Sequence, residues 1–263
     1  MCNGQTIMRC PKCNFDQPEG ETECLKCGIV FAKYLSIQNR TSNKSAIIRQ
    51  FDSSKEVNDH PSKMKAYLKH LLLDINPQIA LYNLIGRAFV LLVLIVWGMK
   101  FIFSSIESNY SGISFMHLIN LPFHEAGHVL FRIFGQFMMT LGGSLTQCLV
   151  PLICLVTFLV KTKDPFAASI SLWWFGENLI DLAPYINDAR ALKLMLLGGV
   201  TGKDVDDYHD WEFILRKLSL LEYDHLIAKT AYVIGALIII CALIWGGSVL
   251  LIQYRNRHSG AEE

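Results

Sequence analysis

Residues 124–128, HEAGH, combine two histidines and a glutamate at a spacing that suits metal-assisted hydrolysis. Residues four apart on a helix share one face, so His124 and His128 can bind the same metal ion. Glu125 lies beside them and can act as general base on the water that the metal binds. Bound zinc lowers the pKa of that water to about 7 and polarises a substrate carbonyl. The segment therefore predicts a catalytic zinc site with Glu125 as the catalytic residue.

The HEAGH segment lies in an apolar run, between FMHLINLPF and RIFGQFMMTL. Ionisable residues at bilayer depth are expensive, which makes them functional candidates by default. The alternative is that His124 and His128 only form hydrogen bonds between neighbouring helices. Further candidate ligands elsewhere in the sequence would therefore favour a metal site over interhelical hydrogen bonds.

Four of the eight cysteines form two CxxC pairs, Cys10 with Cys13 and Cys24 with Cys27. Two such pairs complete a tetrahedral four-thiolate zinc site. The alternative is two disulfides or redox pairs, but so short a module has almost no core and needs a metal to fold. We expect a structural zinc in a ribbon at residues 1–35, in a reducing compartment.

The composition is that of a membrane protein. Of the 263 residues, 52% are hydrophobic and only 18% charged, whereas soluble domains carry about 25% charged residues. The net charge of +1 gives no reason to expect nucleic acid as a partner. A membrane-spanning helix needs about 20 mostly apolar residues, and five stretches approach that length. These stretches are roughly 88–106, 115–139, 143–160, 166–186 and 228–253.

The fold class expected is an all-α polytopic membrane protein, with about four or five transmembrane helices and a small N-terminal zinc ribbon. After residues 1–35 comes a polar linker, 36–75, with few large apolar residues. Residues 76–253 form the membrane-embedded domain, and 254–263 a C-terminal tail. Basic residues before the first span favour a cytoplasmic N-terminus. The number of full passes and the side of the C-terminus stay open.

The HEAGH helix followed by further apolar stretches resembles the three-helix core of site-2-protease-like intramembrane metallopeptidases. In that family the third zinc ligand is an Asp on the third core helix, in a segment N-x2-P-x3-LDG. The segment ENLIDLAPYINDARA offers Asn178, Pro184 and Asp188 in the same order, with different spacing and with Ala189 in place of the Gly. The resemblance implies Asp188 as a zinc ligand and Asn178 as a residue beside the ligands or the substrate.

The pattern resembles more closely a group of uncharacterised bacterial membrane proteins related to that family. They carry FHExGH, GGSxxQ, YIxDA and HDW segments, which here are 123–128, 142–147, 185–189 and 209–215. The resemblance implies a zinc metalloendopeptidase of the bacterial inner membrane, with the lipid bilayer and a membrane-protein or peptide substrate as partners. The N-terminal module resembles short zinc ribbons of bacterial membrane proteins and could bind a protein partner.

Two residues remain open as the third ligand of the catalytic zinc. Asp188 follows a proline-containing segment, whereas His209 begins HDW, a histidine followed by a carboxylate and an interfacial tryptophan. One of the two would then be the ligand and the other would orient it. Gln147 would hydrogen-bond a zinc ligand or the substrate, or form an ordinary interhelical hydrogen bond. Gly142 and Gly143 allow a tight turn or close packing on the zinc helix.

Two functions from other classes remain open. One is a catalytically inactive membrane scaffold that binds partners through its ribbon, although the intact catalytic glutamate argues against it. The other is a di-iron carboxylate oxidase, which would need two Glu-x2-His pairs on facing helices. Glu125 with His128 is one such pair, Glu222 with His225 is a second, and Glu177 could add a carboxylate. This alternative leaves the first histidine of HEAGH unexplained.

Overall fold

The computed structural model describes residues 7–34, residue 72 and residues 79–259. The chain divides into two compact units, 1–62 and 63–263. The predicted linker, 36–75, lies outside the described residues apart from residue 72. Within the predicted tail, the last helix continues to residue 259.

The first unit is a small ribbon. Strands β1 (Ile7–Arg9) and β2 (Asp16–Pro18) pair in antiparallel fashion, and the first CxxC pair forms the turn between them. A single bridge joins Glu23 to Val30. The interior is formed largely by two cysteines and by Phe31, so apolar burial alone supplies little stability to this unit.

The described part of the second unit is helical. Short 3-10 turns lie at 106–108, 132–134 and 221–223, and a π-helical turn at 158–162. The α-helices are α1 (Leu81–Phe103), α2 (Phe115–Phe131), α3 (Gln136–Thr157), α4 (Pro165–Asn187), α5 (Asp210–Lys217) and α6 (Asp224–Ser259).

Three described helical segments are long and apolar enough to cross a membrane: Leu81–Phe103, Gln136–Thr162 and Leu221–Arg257. They indicate a membrane protein, and the predicted, mainly helical fold class is confirmed with three candidate spans among the described residues. At 1.5 Å per residue, α2 is about 25 Å long, short of the roughly 30 Å hydrocarbon core. Helix α4 is long enough but carries two carboxylates, so a count of four or five passes stays a prediction.

The helices of the second unit pack through glycines. Helix α4 packs along α6, where a Cβ on Gly176 would lie 2.8 Å from the carbonyl oxygen of Gly235. Helix α3 crosses α2 where a Cβ on Gly142 would lie 2.7 Å from the carbonyl oxygen of Gly127. Helix α3 also contacts α4, and α1 contacts α6. The backbones therefore approach closely within each pair, as small residues allow in membrane bundles.

Candidate metal centre

Three side chains converge between α2 and the start of α5. His124 and His128 come from α2, and Asp210 is the first residue of α5. The Nε2 atoms of the two histidines lie 3.0 Å and 3.3 Å from the same Oδ2 atom of Asp210. One ligand atom from each residue lies within 4.8 Å of the other two. The group could hold a metal ion through two imidazoles and one carboxylate.

The sequence assigned the third place beside the histidines to Asp188 or His209, but the group that could hold a metal contains Asp210 and neither of those two residues. His209 caps the N-terminus of α5, where its Nδ1 accepts a hydrogen bond from the backbone N–H of Glu212 at 3.1 Å. Asp188 accepts backbone hydrogen bonds from the loop residues 193 and 194. A capping side chain turns back onto its own helix, whereas the first residue inside the helix reaches the histidines.

The start of α5 is held in place by Tyr185. The backbone N–H of Asp210 donates to the Tyr185 hydroxyl oxygen at 2.9 Å. Burial raises the pKa of Asp210, but hydrogen bonds with His124 and His128 outweigh this effect and bring the pKa below its ordinary value. Asp210 therefore favours the ionised form that a metal ligand needs. The sequence contained a signal for Asp210, because it is the carboxylate of the HDW segment and directly follows His209, which was the candidate ligand.

The other ring nitrogens of the two histidines face acceptors. Nδ1 of His124 lies 2.9 Å from Oε1 of Gln147, and Nδ1 of His128 lies 2.9 Å from the carbonyl oxygen of Met139. Such acceptors favour a proton on Nδ1, which leaves the lone pair of Nε2 for a metal. Of the roles expected for Gln147, the structure shows contact with a histidine of the centre.

Gly143, on α3, lies against the imidazoles of both histidines of the centre. A Cβ at this position would lie 2.6 Å from Nε2 of His124 and 2.7 Å from Nε2 of His128. Gly142 and Gly143 both lie inside α3. The expected close packing against the histidine helix is therefore present, and the alternative of a tight turn is not.

The centre opens into a cavity of about 320 Å³. Glu125 lines this cavity beside the histidines, is half-buried, and makes no hydrogen bond to another described residue. The loop at 194–197 and Tyr208 line the cavity on another side, and the Tyr208 hydroxyl donates to the carbonyl oxygen of Leu197 at 2.8 Å. The carboxylate of Glu125 thus lies at the cavity beside the histidines, with no hydrogen-bond partner among the described residues.

Asn178 does not have the predicted place beside the ligands or the substrate. Its Nδ2 donates to the carbonyl oxygen of Trp174 on the same helix at 2.9 Å, and it does not line the cavity. The helix instead presents Glu177 and Asp181, both buried. The sequence signal for this pair was two carboxylates four residues apart in an apolar stretch, of which only Glu177 was considered, for the di-iron alternative.

A chain of hydrogen bonds links these carboxylates to the metal centre. Nδ2 of Asn120 donates to Glu177 at 2.9 Å and to Asp181 at 3.1 Å. Nε2 of Gln147 donates to Asp181 at 3.0 Å, while its oxygen faces His124. The amide of Gln147 therefore connects the buried carboxylate of α4 to one histidine of the centre.

The second candidate site is in the ribbon. The sulfurs of Cys10 and Cys27 lie 3.8 Å apart, and those of Cys13 and Cys24 lie 3.6 Å apart. All four thiols are free, and the four sulfurs lie within 4.8 Å of one another. The structure thus brings together the four predicted ligands in a group that could hold a metal ion.

The two halves of the ribbon share one backbone design. The N–H groups of Cys10 and Cys24 each donate, at 2.9 Å, to the carbonyl oxygen five residues further on. Each second cysteine is followed by a residue with positive φ, Asn14 and Gly28. Burial raises the pKa of Cys24, but backbone N–H groups and neighbouring thiols lower it to about 6. The backbone thus favours the thiolate form that binds metals.

The two Glu-x2-His pairs of the di-iron alternative are separate. Glu222 is exposed, and Nδ1 of His225 lies 2.5 Å from Oδ1 of Asn187. Neither Glu222 nor His225 lines the cavity that contains Glu125 and His128. The geometry therefore offers no support for a carboxylate-bridged pair of metals.

Comparison of the chain with protein-family models, with curated proteins and with solved structures gave no match. A function for the chain is therefore inferred from the chemistry of the two clusters and from the motifs described above. The cluster on α2 has three candidate ligands, a neighbouring free carboxylate and access to a cavity. The cysteine cluster has four candidate thiolate ligands, a complete tetrahedral set, which is typical of a structural site.

Proposed function

We propose that the chain is a zinc-dependent peptidase that hydrolyses peptide bonds in or near a membrane. The observation that carries the proposal is the convergence of His124, His128 and Asp210 in a cavity that Glu125 also lines. Two imidazoles and one carboxylate form a ligand set of catalytic zinc and leave a fourth position for water or substrate. The motif resemblance to site-2-protease-like enzymes points to the same chemistry.

Zinc in this position would lower the pKa of a bound water and polarise the scissile carbonyl. Glu125 would accept the proton of the attacking water as its oxygen bonds to the carbonyl carbon. The same carboxylic acid would then give that proton to the amine nitrogen as the C–N bond breaks. Asp210 would act as a ligand only, because its Oδ2 lies 3.0 Å and 3.3 Å from the Nε2 atoms of the two histidines and so belongs to the same ligand set.

The surroundings of the centre favour hydrolysis over oxygen chemistry. Two histidines and one carboxylate can also bind iron(II), so the ligand set alone does not choose the metal. An oxygenase would need no general base, whereas Glu125 lines the cavity without a hydrogen-bond partner among the described residues. We therefore expect zinc in this centre, and metal analysis of the purified protein measures it directly.

The lining of the cavity favours an apolar substrate chain. Leu121, Leu182 and the side chains of 194–197 supply its apolar walls, and helix α3, which is long and apolar enough to span a membrane, also lines it. A membrane-protein segment or an apolar peptide is the substrate that this lining would accept. We propose that the enzyme lies in the bacterial inner membrane with its ribbon in the cytoplasm. Cysteine thiols stay reduced in that compartment and can hold a structural zinc. The ribbon would also be the part of the chain that binds a protein partner.

The test is substrate trapping in native membranes. Glu125→Gln should keep the metal and stop turnover, because the change removes the base and leaves the ligands, so an uncut membrane protein should accumulate. Glu222→Gln is the matched control, since that glutamate is exposed and outside the cavity. The membrane proteomes of wild type and both variants would be compared by mass spectrometry.

Three results are informative. Accumulation in Glu125→Gln alone supports the peptidase. Identical proteomes in all three strains contradict turnover and favour the scaffold alternative. Iron in place of zinc at the centre, with zinc kept in the ribbon, contradicts the hydrolytic assignment. The ribbon metal is identified separately with Cys24→Ser, which removes one of its four ligands.

A further inference from the structure

The cavity has a second polar end, formed by His117. This residue lies two helical turns before His124 on α2 and also lines the cavity. Its side chain is 35% exposed, and its Nδ1 lies 3.0 Å from Oδ1 of Asp181, whose side chain is 2% exposed. Its Nε2 makes no hydrogen bond with any residue in the described part of the chain. This nitrogen is therefore available to a ligand in the cavity.

The partner of His117 is held firmly. Oδ2 of Asp181 accepts hydrogen bonds from Asn120 at 3.1 Å and from Gln147 at 3.0 Å. Asn120 is itself oriented, because its Oδ1 accepts a hydrogen bond from Nε1 of Trp174 at 2.8 Å. A carboxylate fixed from three sides keeps the imidazole in one orientation. Such preorganisation is what a binding group needs and what a loosely held surface histidine lacks.

The cluster is suited to a neutral polar ligand. A third metal-binding side chain does not join His117 and Asp181 within the described residues, so the pair is not a metal site. Asp181 contacts the other ring nitrogen and offsets any positive charge on the His117 imidazole, so the pair offers no net charge that would attract a ligand carboxylate. A peptide group carries no charge, and its carbonyl oxygen can accept a hydrogen bond from the imidazole.

The distance between the two ends of the cavity sets where this group must lie. Seven residues at 1.5 Å each place His117 about 10 Å from His124 along the axis of α2. An extended peptide advances about 3.3 Å per residue, so that distance corresponds to about three residues. We propose that His117, oriented by Asp181, is a substrate-binding subsite that holds a peptide group about three residues from the cleaved bond.

This inference rests on the proposed peptidase function and narrows its substrate class. A helical segment of three residues spans only about 5 Å, and its carbonyl groups are already hydrogen-bonded within the helix. A chain that reaches from the metal centre to His117 within about three residues must therefore be extended. The substrate would be a segment that unwinds near the cleavage position, and a stably helical membrane span would not fill both ends of the cavity.

The experiment uses capped, uncharged peptide hydroxamates of one to four apolar residues. The hydroxamate group chelates zinc and so fixes one end of each peptide at the metal centre. Two series would extend the chain on either side of the hydroxamate. Binding to the full-length, zinc-loaded protein in detergent would be measured by calorimetry. In the wild type we expect one series to gain about 10-fold in affinity at the third residue. This gain corresponds to one hydrogen bond of about 1.4 kcal/mol.

Variants assign that step to His117. In His117→Phe the third-residue gain should disappear, whereas in His117→Gln, whose amide can still donate a hydrogen bond, part of it should remain. His225→Phe is the matched control, since that histidine lies outside the cavity, and it should keep the whole gain. The one-residue hydroxamate should bind all of these proteins equally, which shows that the metal centre is intact.

The outcomes separate this subsite from the peptidase proposal. A third-residue gain that persists in both His117 variants, or that is missing in the wild type, overturns the subsite and leaves the metal centre standing. Failure of every hydroxamate to bind the wild type overturns the metal centre and the subsite with it. If His117→Phe fails to bind even the shortest hydroxamate, its metal centre is damaged and His117→Gln is used instead. Full retention of the third-residue gain in His117→Gln then overturns the subsite, and a reduced gain supports it.

Discussion

Replacement of Gly143 by alanine should empty the metal centre on α2 while the rest of the protein stays folded. The new Cβ would lie 2.6 Å from Nε2 of His124 and 2.7 Å from Nε2 of His128, the two atoms that face the metal. Alanine is favoured over glycine inside a helix by about 1 kcal/mol, so α3 itself gains from the change. The damage is therefore confined to what the methyl group touches.

The magnitude follows from the space available. An ordinary Cβ contact begins near 3.4 Å, so the imidazoles of His124 and His128 must retreat by about 0.8 Å and about 0.7 Å, whereas metal–ligand distances tolerate only about 0.2 Å. If α2 moved away as a whole, the 2.9 Å contact of His124 with Gln147 would lengthen instead. Loss of such orienting contacts alone costs 10–100-fold in metal affinity. We expect at least about 100-fold here, equivalent to about 2.7 kcal/mol.

The assay is metal analysis of the full-length protein, dialysed against zinc buffered by a chelator. Wild type should hold two zinc ions per chain and Gly143→Ala one, the ion of the ribbon. Gly86→Ala is the matched control, because a Cβ on Gly86 in α1 meets nothing within 4 Å, and it should hold two. Two zinc ions in Gly143→Ala, bound with wild-type affinity, would refute the assignment of Nε2 of both histidines to the metal.

Further changes test the contacts around the centre. Gln147→Leu removes the acceptor of His124 and should weaken zinc binding by about 10–100-fold in chelator competition, with Asn178→Leu as a buried control outside the cavity. Asp188→Asn should speed amide hydrogen exchange at residues 193 and 194, whose N–H groups bind that carboxylate. Burial raises the pKa of Asp188, but the His209 imidazole, 3.7 Å away, and the hydrogen bonds from the loop N–H groups bring it below its ordinary value. Protection of the loop in wild type should therefore persist at the ordinary pKa of an aspartate and fade only as the pH falls further; pH-independent protection would contradict this.

Residues that act through a local motif were predictable from the sequence. His124 and His128 are brought together by the helical repeat alone, and the two cysteines of each CxxC pair by a short turn, so these pairings do not depend on the rest of the fold. Glu125 follows from the same helix. These predictions needed only a period of 3.6 residues or the geometry of a CxxC turn.

Residues that reach the metal centre from other helices could not be predicted from the sequence. The choice between His209 and Asp210 depends on the residue at which α5 begins, and helix ends cannot be assigned to within one residue from sequence. The capping geometry turns one side chain away and presents the next. Asp188 was chosen by resemblance, but it binds the loop that follows it.

The network of His117, Asn120, Glu177 and Asp181 shows a different limit. Each helix carries its polar residues at helical spacing, so the polar stripe of α2 could have been found from periodicity. Which stripe faces which depends on how α2 and α4 are rotated about their axes. That rotation is set by close contacts between helices, such as those at Gly127 and Gly142, and they act only in the folded bundle.

The ligands of the metal centre are far apart in the chain: 86 residues separate His124 from Asp210. During synthesis, α2, α3 and α4 therefore leave the ribosome before the carboxylate that completes the cluster exists. A nascent chain at that stage holds two imidazoles and Glu125 but lacks the third ligand. If the centre is hydrolytic, it becomes competent only once α5 has been made. For a hydrolytic centre, the order of the elements would thus delay the appearance of the peptide-cleaving site until most of this unit has been synthesised.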